Sequence, residues 1–239
     1  MGSQPALAAM LGQARLDTYL TEAGGDLARA TDLYLWSAQL SGALHGQLSF
    51  VEIAVRNAID TQLRVWNTTA GYSADWSADN GAAQTLYSLL GRPLQQARAR
   101  AAREAAERDP GHPRSGLSVV HDDVLAQLMF GSWVAVIRPI SNTESPHRQQ
   151  QLWTAGIAQA FPHAVSGDAG RIDIGKKLEV LRRLRNRIAH HDNLLRVDVQ
   201  HRFNGMLSLL ARMDPDYPAL ATGRSTIRRL LREDPRRAW

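Results

Sequence analysis

Residues 173–191 read DIGKKLEVLRRLRNRIAHH. Ile174, Leu178, Leu181, Leu184 and Ile188 recur at three- and four-residue steps, the mark of a helix with one buried stripe. Around that stripe the same segment carries Arg182, Arg183, Arg185, Asn186, Arg187, His190 and His191. Residues four apart share a helix face, so Asn186 aligns with His190 and Arg187 with His191. Arg185 and His190 are five apart and point about 140° away from each other. One explanation is electrostatic, because cations at a helix C-terminus complement the macrodipole; Asp192-Asn193 is then an ordinary exit turn. The other is chemical. A histidine can move a proton at a ribose 2′-hydroxyl or a leaving oxygen. An arginine can grip a phosphate bidentately and stabilise a pentavalent transition state. A neutral amide such as Asn186 can orient the imidazole or touch the phosphate. These groups suffice for RNA cleavage without a metal, since RNA brings its own nucleophile.

Working outward, almost every segment has the helical period. Residues 5–22 form an amphipathic stretch ending at Gly24-Gly25, and Asp26 has the position of an N-cap. Leu33, Trp36, Leu40, Leu44, Leu48, Val51, Val55, Ile59 and Leu63 continue one apolar stripe, as one long helix or two joined end to end. Residues 67–81 read as a loop, 82–108 as a helix with an exposed, charged and alanine-rich second half, and 109–116 as a breaker-rich loop. Helices are expected over 121–138, 145–160, 173–191, 196–213 and 224–233. No alternating strand pair, repeat or low-complexity tract stands out, so the fold class is all-α.

The chain has 239 residues, 44% of them apolar, enough for one good core. It contains no cysteine, which excludes disulfides and thiolate metal sites and fits a reducing cytoplasm. No run reaches the roughly 18 apolar residues of a membrane span, and the N-terminal segment lacks the charged and apolar regions of a signal peptide. The formal charge is +5, and Lys176 and Lys177 are the only lysines among 28 basic residues. Arginine suits phosphate recognition, so this excess permits a nucleic-acid partner without requiring one.

Arg185-Asn186-x-x-x-His190 resembles the R-polar-x-x-x-H signature of HEPN domains, and LRRLRNRIAHHDNLL resembles their Abi-like, abortive-infection branch. LSFVEIAVRNAID (48–60), LMFGSWVAVI (128–137) and LWTAGIAQAFP (152–162) are similar to further segments of that branch, in the same order. The resemblance is strongest over residues 30–195 of a single all-helical domain; residues 196–239 read as a basic helical extension. It implies a HEPN-type helical bundle, a homodimer with paired motifs facing across the interface, and metal-independent endoribonuclease activity. Arg185 and His190 become the catalytic pair, with Asn186 as polar helper, and no cofactor or metal is called for. A dimer also relieves the 140° separation, since Arg185 of one chain can serve His190 of the other.

Secondary candidates surround that motif. His191 either supports the site or caps the helix. Glu52 and Arg56 have the order of a helix ion pair and, with Asn57, are expected to line the cleft of His190. Arg187 and the tail arginines Arg228, Arg229 and Arg232 are candidate RNA-backbone contacts, against the alternative of a solvated face. Asp122 and Asp123 read as helix-start acids; His45, His112, His147, His163 and His201 are scattered; Trp36, Trp66, Trp133 and Trp153 fall on apolar stripes. The functional expectation is a cytoplasmic antiphage or toxin ribonuclease acting on RNA. Alternatives are a non-cleaving helical dimer that binds RNA or protein, and a toxin silenced by an antitoxin or sensor protein.

Overall fold

A computed structural model describes residues 4–239. The fold is all-α: eleven α-helices and two 3-10 turns, with no strand among the described residues. None of these helices is long and apolar enough to cross a membrane.

The spine is α3, Leu27–Thr69, one continuous 43-residue helix about 65 Å long at 1.5 Å per residue. Asp26 caps it, accepting hydrogen bonds from the Ala28 and Arg29 N–H groups at 2.8 and 3.0 Å. It runs unbroken through Gly42 and Gly46. Each glycine disfavours helix by about 1 kcal/mol, but Leu33, Leu40, Val51, Val55, Ile59 and Leu63 are wholly buried and hold the axis on both sides. α2 (Gln13–Glu22), α6 (Phe130–Ala135), α8 (Gly167–Ala189), α9 (Val199–Met213), α11 (Ile227–Arg232) and both 3-10 turns (Ile157–Ala160 and Pro235–Ala238) pack against it. α4 (Gln84–Ala106) lies beside α5 (His121–Ala126), α6 and α7 (His147–Ala155). One hydrophobic core extends from Tyr19 to Leu230.

Several boundaries differ from the periodicity. The first stretch is two helices, α1 (Gln4–Leu11) and α2, parted at Gly12 with φ 77°. The 121–138 run splits into α5 and α6. Val124, Leu125, Leu128, Phe130, Trp133, Val134, Ala135, Val136 and Ile137 are all buried, more apolar positions than one helix face can hide. The extended backbone at Met129 re-aims the second half. The second half of α4 is not simply solvated: Ala97 and Ala101 are buried, and Arg98 and Arg100 donate to the carbonyls of Ser77, Ala78 and Gln127. α10 (Tyr217–Thr222) has no counterpart in the expected elements. Residues past 195 are integral to the fold. Met206, Leu209, Ile227 and Leu230 join the core, and the Trp36 indole N–H donates to the Leu230 carbonyl at 2.7 Å.

The loop after α3 hides a polar cluster. Trp76 is wholly buried and donates its indole N–H to Asp60 Oδ1 at 2.8 Å. His121, at the start of α5, places Nε2 2.8 Å from Asp60 Oδ1 and Nδ1 2.8 Å from Asp75 Oδ1. Only an imidazolium can donate to both carboxylates at once. The two ring nitrogens face opposite ways, so this is a hydrogen-bonded clamp and not a pair of ligands converging on one ion. Arg64 adds a 2.9 Å contact to Asp60 Oδ2. Burial by itself pulls His121 towards its neutral form, yet the bonds to Asp60 and Asp75 outweigh it and raise its pKa above the ordinary 6.5. Burial likewise opposes ionisation of Asp60 and Asp75, and hydrogen bonds from His121 prevail with help from Arg64 and Ser77, holding both carboxyls below 3.8.

The raised His121 pKa contributes stability that is fully present below pH 6.5 and lost as pH rises through the folded value. The depressed carboxyls contribute stability that is present above pH 3.8 and lost as pH falls through their folded values. Equilibrium denaturation at a series of pH values should therefore show a plateau between these limits and a decline on the alkaline side. His121→Leu should abolish that alkaline slope and cost about 3 kcal/mol, because it leaves the Asp60 carboxylate buried without its main partner.

Candidate functional site at the end of the arginine-rich helix

α8 begins at Gly167, six residues before the start expected at Asp173, and ends at Ala189, two residues before the expected end. Its C-terminus closes in a Schellman motif. The Asp192 N–H donates to the Arg187 carbonyl at 2.9 Å and the His191 N–H to the Ile188 carbonyl at 3.0 Å. His191 occupies the left-handed position of that motif, with φ 55°. Histidine is among the residues that tolerate this region, though glycine fits it best.

The arginines of α8 are unequally available. Glu179 takes hydrogen bonds from Arg182 at 2.8 and 2.9 Å and from Arg183 at 2.8 Å. The bonds from Arg182, joined against burial by those from Arg183, lower its pKa to about 2. Arg187 donates to the Asn193 carbonyl at 2.9 Å, bracing the exit turn. Arg185 is half-buried and leans towards α3, its Nε 3.9 Å from Glu52 Oε2.

Glu52 therefore meets α8 across the helix interface, and the ion pair expected with Arg56 does not form. Arg56 Nε reaches Asn57 Oδ1 instead, at 3.4 Å. Glu52 and Arg56 are half-buried and Asn57 is exposed. The His190 backbone N–H donates to the Asn186 carbonyl at 2.9 Å, while its imidazole is exposed and makes no hydrogen bond or ion pair among the described residues. Within one chain, then, Glu52 and Arg185 come together, and no hydrogen bond joins Arg185 to His190 among the described residues.

The tail arginines are partly committed. Arg228 stacks over the Phe203 ring with its Cζ 5.8 Å from the centroid, and Arg229 pairs with Glu233 at 2.7 Å. Arg232 is exposed and free of such partners among the described residues. Arg236 is anchored to Asp234 and to the Leu195 carbonyl.

What sequence reasoning passed over is the wall behind the motif. Tyr19, Tyr34 and His45, from α2 and α3, border a cavity that the α8 exit turn closes. Their only sequence signal was polar residues punctuating two apolar stripes. No family model, curated protein or solved structure matches the chain.

Because His191 holds a left-handed backbone, His191→Gly should raise stability by about 0.5–1 kcal/mol and His191→Val should lower it by about 1 kcal/mol or more. Chemical denaturation of the two variants checks this, and equal midpoints would contradict the capping role.

Proposed function

We propose that the chain is a HEPN-type, metal-independent endoribonuclease that works as a homodimer, with an antiphage or toxin role in the cytoplasm. The observation that carries this reading is the end of α8. Arg185 is held half-buried beside Glu52, while the His190 imidazole stands exposed and free beside an amide-bearing turn. An oriented arginine and an unpartnered histidine are the two groups that cleavage by a 2′-hydroxyl needs.

In this mechanism one imidazole accepts the proton of the ribose 2′-hydroxyl as that oxygen attacks phosphorus. The guanidinium stabilises the pentavalent phosphorane. The bond from phosphorus to the 5′-oxygen then breaks, and the leaving oxygen takes a proton from the imidazolium, which returns to its neutral form. The products are a 2′,3′-cyclic phosphate and a 5′-hydroxyl. The separation of Arg185 from His190 within one chain is met by a second copy, which supplies the complementary member of each pair. Phe50 and Ile53 support this arrangement: they are 51% and 49% exposed on α3 beside Glu52, an apolar surface suited to burial against a symmetric partner. The alternative of a non-cleaving dimer rests on Glu52, whose carboxylate partly neutralises Arg185 before any phosphate arrives.

Purified protein incubated with total RNA in EDTA should cut it, leaving cyclic phosphate ends. His190→Ala should abolish cleavage while largely retaining RNA binding. Arg185→Ala should weaken both, and Arg185→Lys should rescue little, since a point charge cannot replace the bidentate fork. Products with 5′-phosphate, or activity that chelation removes, would overturn the mechanism. Ile53→Asp should shift the protein from dimer to monomer in light scattering and reduce cleavage in parallel; an unchanged dimer would place the interface elsewhere.

A further inference from the structure

The cavity behind the exit turn has a volume of about 410 Å³, within the range of small-molecule sites. α2 contributes Arg15 and Tyr19, α3 contributes Tyr34 through His45, and the end of α8 contributes Ile188, Ala189, His191 and Asp192. Tyr19 and Tyr34 meet edge to face with centroids 5.4 Å apart, and the Tyr19 hydroxyl donates to Ser37 Oγ at 3.3 Å.

The charges of this molecule are mostly satisfied internally, but around this cavity they are not. The side chains of Arg15, Tyr34, Ser41, His45, His191 and Asp192 make no hydrogen bond or ion pair among the described residues. One opening thus gathers a free guanidinium, a free carboxylate, two free imidazoles and two free hydroxyls over apolar and aromatic walls. The backbone that carries His190 runs directly into this wall.

We propose that the cavity binds a single unstacked guanine base of an RNA chain, next to the phosphate handled by Arg185 and His190. This deepens the ribonuclease reading and rests on it. A phosphate suits the cavity less well than a neutral base, because the Asp192 carboxylate in its lining repels an anion. A base with N–H donors suits it well. Guanine places its N1–H and N2 amino group side by side, matching the two oxygens of Asp192. Its O6 and N7 acceptors call for donors such as Arg15 or a histidine. Adenine turns an acceptor nitrogen towards the carboxylate and is disfavoured. Single-stranded RNA is commonly read in this way, by splayed bases against aromatic side chains.

Gly42 supplies a clean probe. It lines the cavity from within α3, and a Cβ built there meets nothing within 4 Å. Gly42→Leu therefore adds bulk at the cavity wall where its Cβ has room, and leucine is the better helix former; an unchanged thermal midpoint checks that the fold is kept. Two measurements decide the matter: titration of the protein with 5′-GMP and 5′-AMP by ligand-observed NMR, and mapping of cleavage positions on a mixed-sequence RNA. The wild type should bind GMP at least tenfold more tightly than AMP and cut beside guanosines. Gly42→Leu should lose at least tenfold in GMP affinity and scatter its cuts over all four bases. Asp192→Asn should equalise GMP and AMP, and its backbone N–H still closes the Schellman motif. Equal binding of the two nucleotides, or wild-type GMP affinity in Gly42→Leu, overturns the proposal. GMP binding that depends on Gly42, alongside cleavage indifferent to base, also overturns it and assigns the cavity to a free nucleotide. If no RNA is cut at all, the ribonuclease reading fails, and the GMP titration still decides the cavity by itself.

Discussion

Everything in this molecule is arranged around the burial of one apolar stripe along a 43-residue helix. Leu33, Leu40, Leu44, Val51, Val55, Ile59 and Leu63 are all wholly buried on α3. A helix of that length cannot cover its own stripe, so shorter elements pack along it: α2 near its start, α8 at its middle and the 3-10 turn Ile157–Ala160 towards its end, with α6, α9 and α11 also against it. A fully buried aliphatic side chain contributes about 1.5–3 kcal/mol relative to its exposed state, and that gain is what carries the helix through Gly42 and Gly46. Those two glycines then have room to serve another purpose, because the helix does not need their side chains.

The polar residues of α3 tie it to its neighbours at specific points. Asp60 holds His121, Trp76 and Arg64, fixing the loop and α5 against the spine. Asn67 does comparable work at the helix end, donating to the Ser73 and Gly81 carbonyls and accepting from the Ala83 N–H. Gly81 is required there, because a Cβ would sit 2.4 Å from the Asp75 carbonyl oxygen. Glu52 reaches Arg185 of α8. A buried charge is costly unless paired, so each link specifies one arrangement of its partner element over others of similar apolar burial.

The same logic governs the arginines. A net charge of +5 with almost no lysine suggests a surface ready for nucleic acid, but many guanidinium groups are engaged within the fold. Arg108 and Arg114 share Asp123, Arg171 pairs with Asp168, Arg182 and Arg183 share Glu179, and Arg236 is fixed to Asp234. Arginine here is largely a structural crosslinker, its fork matching carboxylates and carbonyls across helix gaps. What marks the end of α8 is therefore not positive charge alone but the gathering there of His190, His191, Asp192 and Arg15, whose side chains have no hydrogen bond or ion pair among the described residues.

The sequence by itself determined the all-α class, the capping by Asp26, the apolar stripes of α3 and α8, and the burial of Trp36, Trp133 and Trp153, because each depends on local period or local hydrogen bonding. It also set Arg185, Asn186 and His190 at the end of one helix, with Asn186 but not Arg185 in line with His190; the helix itself ends one residue earlier, at Ala189, and His190 caps it. Only the tertiary structure decided which side chains meet across elements. Trp76 and His121 lie 45 residues apart in a loop and at a helix start, so no periodicity marks them as partners through Asp60. Glu52 looked like the mate of Arg56 because i,i+4 spacing is visible in a sequence; its turn towards Arg185 depends on how α8 crosses α3. The cavity beside His191 exists only because α2, α3 and the α8 exit turn converge there. Local rules act over one or two helical turns, whereas a site built from three elements depends on the packing of the whole core.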